Sequence, residues 1–169
     1  LNYQINADIM QHEIKQATTY NRTTGITTWQ PRNVEGNWWV SGLVSFGRAL
    51  DKDKRWNLAT NSRYTFAHST DFNTDAIELE PQTSLVLTHR INQDFKISYG
   101  KNKFRVEVNG RLRWNYGTSD REDFQRLSYI DQSYGITLMT PLVWGIDLDT
   151  DLLVNVRSGY NDPAMNTTE

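Results

Sequence analysis

The run Phe104-Arg105-Val106-Glu107-Val108-Asn109-Gly110-Arg111-Leu112-Arg113-Trp114-Asn115-Tyr116 alternates without a break. Its even positions are apolar, aromatic or glycine, and its odd positions are polar. Successive side chains of a strand point to opposite faces, so this run has one oily and one charged face. The run before it alternates too, with Leu85, Leu87, Ile91, Phe95, Ile97 and Tyr99 on one face and Thr88, Arg90, Asn92, Asp94, Lys96 and Ser98 on the other. Between them, Gly100-Lys101-Asn102-Lys103 carries the glycine and asparagine that a tight reversal needs. The stretch reads as a β-hairpin whose arms exceed twice the ordinary strand length of about five to six residues.

Working outward, Leu1 to Ile14 reads as a first strand, followed by a long polar connection from about Gln16 to Gly36. A second strand, about Asn37 to Leu50, aligns Trp38, Val40, Gly42, Val44 and Phe46, and Asp51-Lys52-Asp53-Lys54 forms a charged turn. A third, Arg55 to about Ser69, aligns Trp56, Leu58, Tyr64 and Phe66, before a second long connection from Thr70 to about Thr83. After the central hairpin come a polar loop from Gly117, a strand from about Phe124 to Met139, and a turn at Thr140 to Gly145. A last strand runs from Ile146 to about Arg157, with a loop-like tail. No helix or linker is expected.

A chain of 169 residues is ordinarily one domain. A net charge of −2 with no basic run gives no reason to expect nucleic acid, and the absence of cysteine excludes disulfides and thiolate metal sites. No apolar run approaches the roughly 20 residues of a membrane helix, and Asn2, Gln4, Asn6 and Asp8 interrupt any leader-like start. The mean hydropathy of −0.67 does not bear on a transmembrane β-barrel, whose strands are apolar only at alternate residues.

The expected connections alternate between short turns and longer loops, the asymmetry of outer-membrane barrels. Aromatic residues collect near both strand ends: Trp56, Tyr99, Phe104 and Trp144 by the turns, and Trp38, Tyr64, Phe66, Trp114 and Tyr116 towards the loops. That spacing matches the two interfacial belts of such a barrel.

Three stretches carry a family resemblance: Gly47-Arg48-Ala49-Leu50-Asp51-Lys52-Asp53-Lys54-Arg55-Trp56-Asn57-Leu58; Tyr134-Gly135-Ile136-Thr137 leading to Trp144-Gly145-Ile146-Asp147-Leu148; and Arg157-Ser158-Gly159-Tyr160 continuing to Ala164-Met165-Asn166-Thr167. They resemble the outer-membrane β-barrel family of Bacteroidetes, similar to TonB-dependent receptors. The resemblance implies that residues 1–169 are an incomplete segment of one barrel domain of about 22 strands, without its plug. The expected fold class is therefore all-β, an antiparallel up-and-down meander of about seven long strands, part of a large transmembrane β-barrel. The function implied is the wall of a TonB-dependent-receptor-like transporter for nutrient uptake in the bacterial outer membrane. Its partners would be outer-membrane lipid, the missing parts of its own barrel and plug, TonB through the parent protein, and a small-molecule, glycan or peptide substrate. The rival reading is a soluble all-β ligand-binding module, a sandwich or lipocalin-like barrel. An eight-stranded outer-membrane enzyme or adhesin fits the odd strand count less well.

No cofactor and no catalytic activity are expected, since no nucleophile elbow, phosphate loop or paired-carboxylate motif occurs. The candidate lumen-facing residues are Arg90, Asp94, Lys96, Arg105, Glu107, Arg111 and Arg113 of the hairpin and Asp147, Asp149 and Asp151 of the last strand. The three aspartates lack the glycine and glutamate of a calcium loop and read as a solvated face. His12, His68 and His89 lack acidic partners at ligand spacing. With Tyr99 paired to Phe104, Lys96 would lie opposite Glu107 and Asp94 diagonal to Arg111. Gln93, Thr60 and Ser62 fall on the apolar faces and argue for the rival, because polar groups facing lipid need partners.

Overall fold

A computed structural model describes residues 1–21, 23–72, 83–121 and 124–168. Nine antiparallel strands form two open sheets: β1 (Asn2–Met10), β2 (Glu13–Asn21), β3 (Ile26–Val34), β4 (Asn37–Ala49), β5 (Trp56–Phe72), β6 (Thr83–Lys101), β7 (Phe104–Ser119), β8 (Leu127–Pro141) and β9 (Asp147–Ser158). The large sheet runs β1-β4-β5-β6-β7-β8-β9, and β2 and β3 pair as a separate hairpin.

The sheet does not close. Among the described residues β1 pairs with β4 alone, and β9 pairs with β8 and, through Val156, with Thr168 of the tail. A barrel has a neighbour on both sides of every strand, and only that closure satisfies backbone groups in lipid. The described strands thus form an open sheet and not the closed barrel expected, and nothing in them supports the outer-membrane location, the lipid partner or the transmembrane strands. The rival's finer architecture changes too, since the large sheet is one open layer, neither sandwich nor lipocalin-like barrel.

The register keeps the two faces apart across all seven strands. Even residues of β4, β5, β7, β8 and β9 align with odd residues of β1 and β6. One face therefore gathers the apolar positions and the other the polar ones. On the apolar face Trp56 lies 4.9 Å from Tyr99, which meets Phe104 at 6.1 Å. At the opposite strand ends Trp38 stacks on His68 at 5.5 Å, and Phe66, His89, Tyr116 and Trp114 continue the aromatic chain. Trp144 stands apart, 93% exposed in a 3₁₀ turn at Val143–Gly145. The other aromatic residues named as candidate belts form two side-chain clusters on one sheet face. Gln93, expected to be isolated, is fully engaged: it accepts a hydrogen bond from Ser62 and donates to Thr60 Oγ1 at 2.6 Å.

The central hairpin turns on two residues, Asn102 and Lys103, with Asn102 in the left-handed region at φ 56°. This shifts the expected register by two, so that Tyr99 lies opposite Val106 and Phe95 opposite Gly110. The Phe95 ring covers Gly110 so closely that a Cβ there would fall 2.2 Å from a ring carbon.

The first expected strand divides at Gln11 and His12, the latter at φ 55°, and the supposed loop from Gln16 to Gly36 is largely the β2–β3 hairpin. Pro31 sits in β3, an edge strand paired among the described residues with β2, where a residue without an N–H is tolerated. Ala17 and Val34 are the buried apolar side chains among the described residues. Asn37, also buried, joins the two sheets: its amide donates to Glu13 and accepts from the Thr70 N–H. The expected connection after Thr70 falls mostly on residues 73–82, outside the described residues.

Candidate functional site: the arginine-lined recess of the polar face

The polar face places side chains in rows across the strands, about 4.8 Å apart from strand to strand. One row reads Leu43, Arg63, Asn92, Arg113, Asp131, Arg157 from β4 to β9. The row on one side reads Ser41, Thr65, Arg90, Asn115, Tyr129, and that on the other Ser45, Asn61, Asp94, Arg111, Ser133, Asn155. These rows surround a recess of about 720 Å³, lined chiefly by Arg63, Arg90, Arg111, Arg113, Asp94 and Asp131 with Asn61, Asn92, Asn115 and Tyr129.

The charges are not balanced within it. Arg111 donates through Nε to Asp94 Oδ1 at 2.7 Å, directly across the β6–β7 ladder. Arg63, Arg90 and Arg113 form no ion pair among the described residues. Arg63 and Arg113 flank Asn92 from the neighbouring strands, and Arg90 lies two residues from Asn92 on β6, so three guanidinium groups surround one carboxamide. Guanidinium groups carry fixed charge and forked donors that suit carboxylate and phosphate oxygens.

A second recess of about 320 Å³ adjoins the first and shares Arg111, Arg113 and Asp131 with it, adding Ser133, Leu153, Asn155 and Arg157. Asp131 stands between the two. By register Arg113 lies on one side of it and Arg157 on the other, yet its carboxylate pairs with neither among the described residues. It accepts a hydrogen bond from the Tyr160 hydroxyl at 2.6 Å. Tyr160 belongs to the tail, which folds back over β8: its ring stacks on Tyr129 at 4.4 Å, and its N–H donates to Asn166 Oδ1. Gly159 makes the fold-back possible, at φ 81° and so near the Ser128 carbonyl that a Cβ would come within 2.5 Å. Burial first, then the bond to Asp131, pushes the Tyr160 phenol up to about 12.

Of the residues expected to face a lumen, Arg90, Asp94, Arg111 and Arg113 line the larger recess. Lys96, Arg105 and Glu107 form an ion cluster nearer the turn, with Lys96 Nζ 2.8 Å and Arg105 Nη2 3.1 Å from the Glu107 carboxylate. The two-residue register shift exchanges the expected geometries, making Asp94–Arg111 direct and Lys96–Glu107 diagonal. Asp147, Asp149 and Asp151 lie on the edge strand β9, where Asp151 accepts from the Thr137 hydroxyl at 2.6 Å. The three histidines are dispersed: His12 meets Glu35 at 3.0 Å, while His68 and His89 join the aromatic face. Arg63, Asn61, Asn92, Asn115, Tyr129, Asp131, Arg157 and Tyr160 were not singled out by sequence. Their signal is strand parity, which puts all but Tyr160 on the polar face.

No family model matches the chain, and neither the curated proteins nor the solved structures give a match. The resemblance to outer-membrane barrels of Bacteroidetes and to TonB-dependent receptors therefore finds no support in kinship, and the sheet observed is open, not a closed barrel. The nutrient-transport role and TonB partnership, which rested on that resemblance, are left without support.

Proposed function

We propose that this chain is an all-β ligand-binding module whose polar sheet face holds a compact polyanion, a phosphate monoester or a polycarboxylate, without transforming it. The observation that carries this reading is the cluster of Arg63, Arg90 and Arg113 in one recess, without carboxylate partners among the described residues. Three cations on adjacent strands repel one another, a cost that a bound anion offsets through charge-assisted hydrogen bonds. The surrounding carboxamides of Asn61, Asn92 and Asn115 supply neutral donors and acceptors for hydroxyl or further oxygen groups.

Calorimetric titration with citrate and with glucose 6-phosphate tests the reading and separates its two ligand classes. One of the two binds, more weakly as salt rises. Arg113→Gln weakens it about tenfold, the worth of one hydrogen bond to a charged group. Binding of neither probe overturns the reading.

A further inference from the structure

Asp131 poses a physical question. A carboxylate placed between two arginines in one cross-strand row would ordinarily neutralise one of them, and this one is held instead by a phenol on the folded-back tail. We infer that Tyr160 is a positioning residue for the arginine recess: by holding the Asp131 carboxylate it keeps Arg113 open to an incoming anion.

The inference rests on the anion-binding reading above and adds to it a residue outside the recess lining. The contact is built. Tyr160 stacks on Tyr129, itself part of the recess wall, so the ring is aligned before its hydroxyl reaches Asp131. Asn166 clamps the tail by accepting from the Tyr160 N–H at 3.0 Å and donating to the Tyr160 carbonyl at 3.2 Å. The Arg157 N–H donates to the Thr167 carbonyl at 2.8 Å, tying the far end of the tail to β9. The raised phenol pKa of about 12 keeps the hydroxyl protonated, and so a donor, across the neutral range.

Removing the hydroxyl alone leaves the ring stack in place and frees Asp131. The released carboxylate then competes with the ligand for Arg113, one row neighbour away. Neutralising Asp131 removes that competitor, so the tyrosine hydroxyl should matter only while Asp131 is charged. A tail that merely orders the fold would behave otherwise, because its loss would weaken binding whatever stands at position 131.

The experiment is a double-mutant cycle on the full chain, with citrate and glucose 6-phosphate as probes in calorimetry. Tyr160→Phe should weaken whichever probe binds by about tenfold, the worth of one charged hydrogen bond. Asp131→Asn, which takes a negative charge out of the recess, should bind more tightly than the parent chain, and Tyr160→Phe added to Asp131→Asn should have no further effect. Equal weakening by Tyr160→Phe in both backgrounds, or none in the parent, overturns the inference while leaving the anion site standing. If the parent chain binds neither probe, the anion-binding reading itself fails.

Discussion

On the apolar face of the large sheet the polar intruders satisfy one another: Ser62 donates to Gln93, which donates to Thr60, whose hydroxyl donates to the Asp94 carbonyl at 3.0 Å. On the polar face three arginines stand without a carboxylate among the described residues. The first arrangement is what an apolar surface demands, because an unpaired amide away from water costs free energy. Nothing comparable forces the arginines to stay open, since water solvates them and a nearby acid would pair them at little cost. Asp131 is such an acid, and it is engaged elsewhere. The contrast separates a network that maintains the sheet from charges that remain available for binding.

Substitutions should therefore divide by face. The largest loss of stability is expected from Gly110→Val, whose Cβ would fall 2.2 Å from the Phe95 ring. Overpacking of that kind costs about 3 kcal/mol, read as a lower urea midpoint, and Phe95→Leu in the same chain should recover part of it. Next comes Gln93→Leu, which orphans the Ser62 hydroxyl and should cost about 1–2 kcal/mol. Replacing all three, as Thr60→Val, Ser62→Ala and Gln93→Leu, should be near neutral, because no polar group is then stranded. A triple variant as unstable as the single one would show that the network contributes more than mutual satisfaction.

The tail has a signature in pH. The folded phenol of Tyr160 lies above its ordinary value of 10.0, at about 12. Its contribution to stability is thus fully present below pH 10 and is lost as pH rises towards 12. Ultraviolet titration should show one tyrosine ionising late, and Tyr160→Phe should remove that step together with the alkaline part of the stability loss.

Smaller effects belong to the polar face. Arg111→Ala breaks an exposed ion pair with Asp94 and should cost about 0.2–1 kcal/mol, less at high salt. Arg113→Leu should change the unfolding free energy least, by about 0.5 kcal/mol or less, because no ion pair among the described residues is lost. A large stability loss from Arg113→Leu would mean that this arginine maintains the sheet, and the contrast between the faces would fail.

The central hairpin shows how far reading from sequence carries. Strict alternation from Phe104 to Tyr116 fixes which side chains share a face, and a register slip of two residues leaves that assignment intact. The same slip changes every cross-strand partner, and it depends on whether the turn uses four residues or the two at Asn102 and Lys103. The β2–β3 hairpin was hidden for another reason. Thr18, Thr19, Thr27 and Thr28 carry no apolar alternation, so their ladder, with Thr19 opposite Thr28 and Tyr20 opposite Thr27, leaves no period to read.

Aromatic residues at strand ends do not decide the fold, because interfacial belts and side-chain clusters on one sheet face place the same residue types at the same positions. Only the pairing of β1 and β9 distinguishes a closed wall from an open sheet, and edge pairing depends on which strands meet in space rather than on any local pattern. The sequence by itself determined the strands of the large sheet, their two faces and the side on which Arg63, Arg90 and Arg113 lie, because side-chain direction is a local consequence of backbone pleat. The tertiary structure alone decided that the sheet stays open, that those arginines share one recess, and that Tyr160 holds Asp131. Each of these brings together residues distant along the chain, through ladder register and a fold-back that no short-range pattern encodes.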